Sequence, residues 1–319
     1  MTFVPPDFDI PSSVDLDDGQ LRLLTMADVA TDHEVFISSR PDLTGVYDPN
    51  DLPWPESPRT LALSLARLGF CEWECVNRNS FCYGIFDSGT AYQLGRLHIE
   101  PSGDPEFDAQ IVFWMRGKKG EREARLLNQV NGWLASSWPF KAAAMPGRSE
   151  RWGSFSRSLL VPRDFEVPER VVADDFLVRF MTTEDYIEDY AAYMSSGPAV
   201  RSTWDPDFTE WPEVEVSLHE AMVALGAVDW ENFQRLLFSY CVMTPDDKRQ
   251  IGCIYVAPAG MGGFDAEVTY WVRKEEYEAG FHTSLSAWLE NWIDKSWPFE
   301  KPAFPGGSMS WDDWNNMSE

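Results

Sequence analysis

Between residues 116 and 125 an otherwise acidic chain turns basic. Arg116-Gly117-Lys118-Lys119-Gly120-Glu121-Arg122, with Arg125 just beyond, sets five cations in ten residues, on a protein of net charge −26. The chemistry such a segment supports is anion binding. Glycines let a backbone approach a ligand closely, and free N–H groups at the start of a helix point at whatever lies before it. A solvated basic turn with no ligand accounts for the same residues, and both readings stay open here. The other reactive residue types are sparse and scattered. His33, His98, His219 and His282 show no metal-ligand spacing, and His219-Glu220 has no second histidine four residues on. Cys71 and Cys75 sit one helical turn apart without a partner pair, so a helix face is expected there, and no metal is expected in the protein. No G-x-S-x-G or Walker pattern occurs.

The basic segment belongs to a repeated pattern. Residues 4–116 and 161–273 correspond without a gap at a displacement of 157: Phe8/Phe165, Arg22/Arg179, Asp28/Asp185, Trp54-Pro55/Trp211-Pro212, Arg78/Arg235, Gly95/Gly252, Asp108/Asp265, Trp114/Trp271 and Arg116/Arg273. Beyond it, Trp138-Pro139-Phe140 matches Trp297-Pro298-Phe299 at 159. So long a period implies two complete domains, 1–157 and 158–319, rather than a solenoid. After the matched arginines the copies diverge. The second reads Arg273-Lys274-Glu275-Glu276-Tyr277-Glu278-Ala279-Gly280, acidic where the first is basic. Three glutamates at a helix start would already occupy an anion site.

Each unit opens with a proline-punctuated arm, 3–11 and 160–168, expected to run extended along the surface. A strand at 21–24 or 177–180 follows, then a helix capped by Thr25 or Thr182 with Asp28 or Asp185 at its positive end. A second helix is expected at 58–72 and 214–228, then strands at 80–86, 92–99 and 109–115 with counterparts at 238–243, 250–256 and 267–272. An amphipathic helix at 121–137 or 278–296 stops at Trp-Pro-Phe, and a short last strand closes the unit. The order β-α-α-β-β-β-α-β predicts α/β (α+β) units, each a mixed, mostly antiparallel sheet flanked by helices.

Composition bounds the function. Residues 1–158 hold 15 Lys and Arg against 22 Asp and Glu, and residues 159–319 hold 11 against 30. That balance speaks against nucleic acid as a partner and leaves room for a basic protein docking on the acidic surface. No run of 18 apolar residues occurs, so no membrane span is expected. Five cysteines, none matched across the repeat, and an N-terminus without a secretory pattern lead to the expectation of a reduced, cytoplasmic protein.

The element order, and the passage Phe113-Trp114-Met115-Arg116 with its copy Tyr270-Trp271-Val272-Arg273, resemble the GNAT acyltransferases. The resemblance implies transfer of an acetyl group from acetyl-CoA to an amine. In that family the turn after the central strand follows Q/R-x-x-G-x-G/A and holds the pyrophosphate of coenzyme A. Both copies depart from that pattern: unit 1 carries Trp114, Met115, Arg116, Gly117, Lys118, Lys119, Gly120 and Arg122 there, with the glycines three apart, and unit 2 has no glycine until Gly280. Unit 1 is thus expected to be the better binder, and a silent pair of units serving as an acidic binding module is the other reading. The family's proton route implies the paired candidates Asp108/Asp265, Tyr83/Tyr240 and Glu74/Glu231, each of which also has an ordinary structural explanation. Trp54 and Trp211 fall where the family places its acceptor segment. An acidic cleft would favour a small cationic amine or a basic peptide as acceptor.

Overall fold

The computed structural model describes residues 3–50, 60–88, 90, 92–117, 120–201 and 216–317. The chain divides into two compact units, Met1–Ser158 and Leu159–Glu319. Unit 1 runs β1 (Ser13–Leu16), β2 (Gly19–Leu23), α1 (Val29–Ser39), α2 (Leu61–Val76), β3 (Phe81–Phe86), β4 (Gln93–Pro101), β5 (Ala109–Met115), α3 (Glu121–Ser137) and β6 (Ala143–Ala144). Unit 2 runs β7 (Arg170–Val172), β8 (Leu177–Phe180), α4 (Tyr186–Arg201), α5 (Leu218–Gln234), β9 (Phe238–Met243), β10 (Gln250–Ala257), β11 (Ala266–Val272), α6 (Lys274–Glu278), α7 (Phe281–Ser296), β12 (Pro302–Ala303) and α8 (Trp311–Asn315).

Each unit holds a six-stranded sheet in sequential order, antiparallel except for the last pair, β5 with β6 and β11 with β12, which is parallel. The mixed, mostly antiparallel sheet flanked by helices that the sequence predicts is thus present in both units. The central strands read as nearly continuous apolar runs because both faces are covered. Side chains alternate between the two layers: Tyr83, Phe113, Leu126 and Val130 fill the core on the α3 side, while Phe36, Val112 and Trp114 fill the other, on the α1 side. Tryptophans serve that packing. Trp133 and Trp138 stand edge-on to Tyr83, as Trp292 and Trp297 do to Tyr240.

The residues shared by the copies build the scaffold twice. Arg22 donates two hydrogen bonds to Asp28 (3.0 and 2.7 Å), and Arg179 does the same to Asp185 (2.9 and 2.7 Å). Asp28 and Asp185 in turn accept the N–H of Thr25 and Thr182, closing a capping box on a 3-10 turn that leads into α1 or α4. Arg78 and Arg235 take left-handed φ values of 60° and 57°. From there Arg78 donates to the carbonyls of Pro5 and Phe8 (2.6 and 2.7 Å), and Arg235 to those of Pro162 and Phe165 (2.8 and 2.9 Å). The arms keep to the surface as expected but are pinned there, with Val4 and Val161 each 1% exposed. Two further expectations change. A strand precedes the expected first one in each unit, because β1 and β7 form hairpins with β2 and β8. The helix expected at 278–296 is broken at Gly280, whose φ of 84° ends the short α6 before α7 begins.

Gly95 and Gly252 face the backbone of the neighbouring strand, where a Cβ would collide with the carbonyl oxygens of Trp114 and Trp271. Gly95→Ala and Gly252→Ala are each expected to cost about 1–3 kcal/mol, as overpacked sites do. Thermal unfolding of the two variants checks this, and an unchanged melting temperature would refute the close approach.

Candidate functional site

In unit 1 the last strand stays with its neighbour only briefly. Ala109 pairs with Ala143 and Gln110 with Ala144, after which β5 and β6 part. The Asp108 carboxylate makes this junction by accepting the backbone N–H groups of Lys141 and Ala142 (2.7 and 3.0 Å). Those bonds hold its pKa below the usual carboxylate range. Where the strands separate, a cleft of about 660 Å³ opens, lined by Ile111, Leu127, Asn131, Ala143, Met145 and Arg148 among others. Arg148 spans it, donating Nε–H to the Phe113 carbonyl (3.2 Å) and pairing with Glu123 in the first turn of α3.

At its upper end β5 runs into the basic turn. Gly117 has a φ of 84°, which suits glycine, and Gly120 is the N-cap of the 17-residue α3 without a side-chain cap, so the first-turn N–H groups are left to other partners. The cations around the turn are engaged within the unit. Arg116 pairs with Glu34 (2.7 Å) and lies over the Tyr92 ring, Arg122 pairs with Asp87, and Arg125 pairs with Asp18 (2.7 Å). Lys118 and Lys119 lie outside the described residues, as do Trp54 and Trp211. Trp114 points away from the cleft into the α1-side core, where its Nε1–H donates to the Tyr47 hydroxyl (2.6 Å), and Met115 is partly buried on the α3 side.

Tyr83 and Glu74 are elsewhere. The Tyr83 hydroxyl donates to the Pro11 carbonyl (2.7 Å), and burial pushes its pKa up. Glu74, near the end of α2, accepts from Asn79, and burial raises its pKa. Neither residue, nor Asp108, lines the cleft.

Unit 2 differs at the matching positions. The turn after β11 becomes α6, whose Glu275 and Glu276 each pair with Arg249 (2.5 Å). Tyr270, the counterpart of Phe113, stacks against His282 at the start of α7, ring centroids 4.9 Å apart, and burial lowers the His282 pKa. Asp265 repeats the Asp108 clamp on the N–H groups of Glu300 and Lys301.

The α1 side of unit 1 holds a polar cluster that spacing alone did not disclose. Arg96, fully buried between the Phe36 and Trp114 rings, forms a bidentate pair with the buried Asp32, to which Gln93 also donates (3.0 Å). Beside it the Sγ atoms of Cys71 and Cys82 and a ring nitrogen of His98 lie within 4.8 Å of one another, all three residues buried. An Arg67 N–H faces His98 Nδ1 (3.3 Å), and since guanidinium can only donate, the ring proton is placed on Nε2, toward Cys82 Sγ (3.7 Å). The neighbouring Cys82 side chain, helped by Arg67 and Arg96, draws the Cys71 pKa down to about 7, and burial pushes Cys82 up. The expected helix-face role of Cys71 is thus incomplete. The signal lay in the β3–β4 register, which sets Cys82 directly opposite His98.

No protein-family model matches the chain, and no curated protein matches it. Solved structures similar to it include acetyltransferases. A ribosomal-protein-serine acetyltransferase from Vibrio cholerae, described as putative, shares 15% identity over 42% of this chain and 70% of its own, with a TM-score of 0.31. A ribosomal L7/L12 α-N-protein acetyltransferase in complex with coenzyme A shares 12% over 39% and 66%, TM-score 0.30. A tandem GNAT protein from the clavulanic acid biosynthesis pathway shares 13% over 88% of this chain and 87% of its own, TM-score 0.26.

Position 96 generates a test of the copies against each other. Unit 2 keeps the carboxylate and the amide, Asp189 and Gln250 (2.6 Å), but has Cys253 where unit 1 has Arg96. Without that guanidinium, burial raises the Asp189 pKa. A carboxylate whose folded pKa is raised stabilises the fold at low pH, and that contribution is lost as pH climbs from about 3.8 through the folded value. Asp189→Asn is therefore expected to raise the melting temperature of unit 2 at pH 8 and to do so less at pH 4.5. A gain of equal size at both would refute the account.

Proposed function

We propose that the protein is a GNAT-type N-acyltransferase that moves an acetyl group from acetyl-CoA to an amine, with unit 1 as the competent unit. One observation carries the reading: β5 and β6 part after two residue pairs and open a cleft beside a glycine turn that feeds a long helix. A thioester-bearing chain laid between the strands would meet backbone groups of β5 along one edge. Its phosphates would meet the first-turn N–H groups of α3, with Arg116, Gly117, Lys118, Lys119, Gly120 and Arg122 around them. Bound acetyl-CoA would supply the acetyl thioester: with the acceptor ammonium first deprotonated to solvent, the C–N bond would form as the C–S bond breaks, and the proton lost by nitrogen would pass through water to the departing thiolate. Asp108, Tyr83 and Glu74 lie outside the lining, so catalysis here rests on positioning, with Asp108 holding the junction. The acceptor in this reading is a small cationic amine or a basic peptide, drawn by a net charge of −26.

Unit 2 is read as silent. Its acidic α6 stands where the phosphates would sit, and with 30 Asp and Glu against 11 Lys and Arg it offers a surface for a basic protein partner.

Isothermal titration of acetyl-CoA into the full chain is expected to give one equivalent of binding. Asn131, exposed on the cleft wall, can be enlarged without entering the core, so Asn131→Trp should abolish binding while the melting temperature holds. Lys118→Glu with Lys119→Glu should weaken it about tenfold or more, the size of a lost charge-assisted contact or two. Absence of binding to the wild type at millimolar acetyl-CoA would overturn the reading, as would binding that survives Asn131→Trp.

A further inference from the structure

The Cys71, Cys82 and His98 cluster has no part in the proposed acetyl transfer, and unit 2 has no counterpart to it. At the same three places unit 2 carries Val228, Ser239 and Tyr255. The scaffold therefore tolerates their absence, and their gathering in unit 1 asks for a purpose of its own. We propose that Cys71 and Cys82 form a two-thiolate site for a soft monovalent cation, Cu⁺, with His98 as a hydrogen-bond donor to the Cys82 sulfur.

Three observations lead there. The two sulfurs come from different elements, α2 and β3, and face each other inside the 4.8 Å group. Cation–sulfur bonds of about 2.3 Å, as in thiolate metal sites, place both sulfurs of a shared ion within that span. Second, the tautomer argues against His98 as a ligand. Arg67 occupies Nδ1, so Nε2 carries the proton and offers a donor to sulfur rather than a lone pair to a metal. Two soft ligands without the imidazole suit Cu⁺ better than a tetrahedral Zn²⁺. Third, the charge is right for an ion of single charge. Two thiolates with Zn²⁺ are neutral, whereas with Cu⁺ they leave one negative charge. The guanidiniums of Arg67 and Arg96, both buried, act on both sulfurs, opposed at Cys71 by the one Asp32 carboxylate that pairs with Arg96, and Arg96 Nη1 has no hydrogen-bond partner among the described residues. An anionic dithiolate centre would meet that buried positive field.

Binding balances simply. The cation takes one bond from each sulfur, one thiol proton leaves to solvent for each sulfur not already ionised, and no oxidant or reductant is consumed.

The test uses the reduced full-length protein under anaerobic conditions, competing for Cu⁺ against a chromogenic Cu⁺ chelator. Wild type is expected to withdraw one equivalent and to shield two of its five cysteines from alkylation. Cys71→Val and Cys82→Ser copy what unit 2 carries at those positions, so they preserve a packing already present in the fold. Each should lose the equivalent. His98→Gln should weaken binding about tenfold, as loss of an outer-shell partner does, and Cys75→Ser should leave it unchanged. Failure of the wild type to take Cu⁺ from the chelator overturns the site. So does retention by folded Cys71→Val and Cys82→Ser. Preference for Zn²⁺ over Cu⁺ with strict dependence on His98 overturns the two-thiolate assignment.

Discussion

One carboxylate sets the geometry on which the site depends. Asp108 accepts two successive backbone N–H groups from the segment that returns after α3, and so fixes where β6 meets β5. Because the clamp sits at the very start of the strand, the parallel pairing lasts two residues and then has nothing to sustain it. A clamp placed further along would have zipped the strands together. Here the hydrogen-bonding edge of β5 beyond Gln110 is released, Arg148 takes the Phe113 carbonyl, and space remains between sheet and helix. Unit 2 repeats the clamp with Asp265 and the two-residue pairing of β11 with β12, so the early parting of the last strands belongs to the fold rather than to one copy.

Duplication separates scaffold from chemistry more sharply than either unit could alone. The residues identical in both copies turn out to be joints: Arg22 and Arg179 on the capping aspartates, Arg78 and Arg235 on the arms, Gly95 and Gly252 at the strand crossing, Asp108 and Asp265 at the return. What differs is charged, polar or reactive. The glycine turn against α6, Arg96 against Cys253, and Cys71, Cys82 and His98 against Val228, Ser239 and Tyr255 all fall inside the same framework. A buried Asp32–Arg96 pair and a partly buried Asp189 without that arginine show the framework accepting opposite electrostatic solutions at one address.

Much of this was legible in the chain itself. Strands at 109–115 and 238–243 and the helix at 121–137 were readable to the residue, because apolar runs and a Trp-Pro stop mark their bounds. The short hairpin strands β1 and β7 were not, since three or four half-exposed residues carry no period worth reading. Left-handed Arg78 and Arg235 could not be foreseen, as arginine has no preference for that region; the side-chain bonds to two carbonyls offset the cost. The basic turn was visible as charge, but the pairing of Arg116, Arg122 and Arg125 with acids from distant segments was not. Likewise the sulfur–imidazole cluster joins positions 11 and 16 residues apart across a helix and two strands, a contact written in register rather than in spacing.

The arginine that pins each arm has a consequence for how the protein is made. Phe8 and Arg78 are 70 residues apart, as are Phe165 and Arg235. During synthesis each arm must wait, undocked, until α2 or α5 has cleared the ribosome and the arginine behind it can turn back. All the strands of unit 1 are complete by Ala144, before the first strand of unit 2 at Arg170 is translated. The first copy can therefore bury its arm and close its core while the second is still being polymerised, so two copies of one fold in a single chain are seldom both unfolded together and have little occasion to exchange strands.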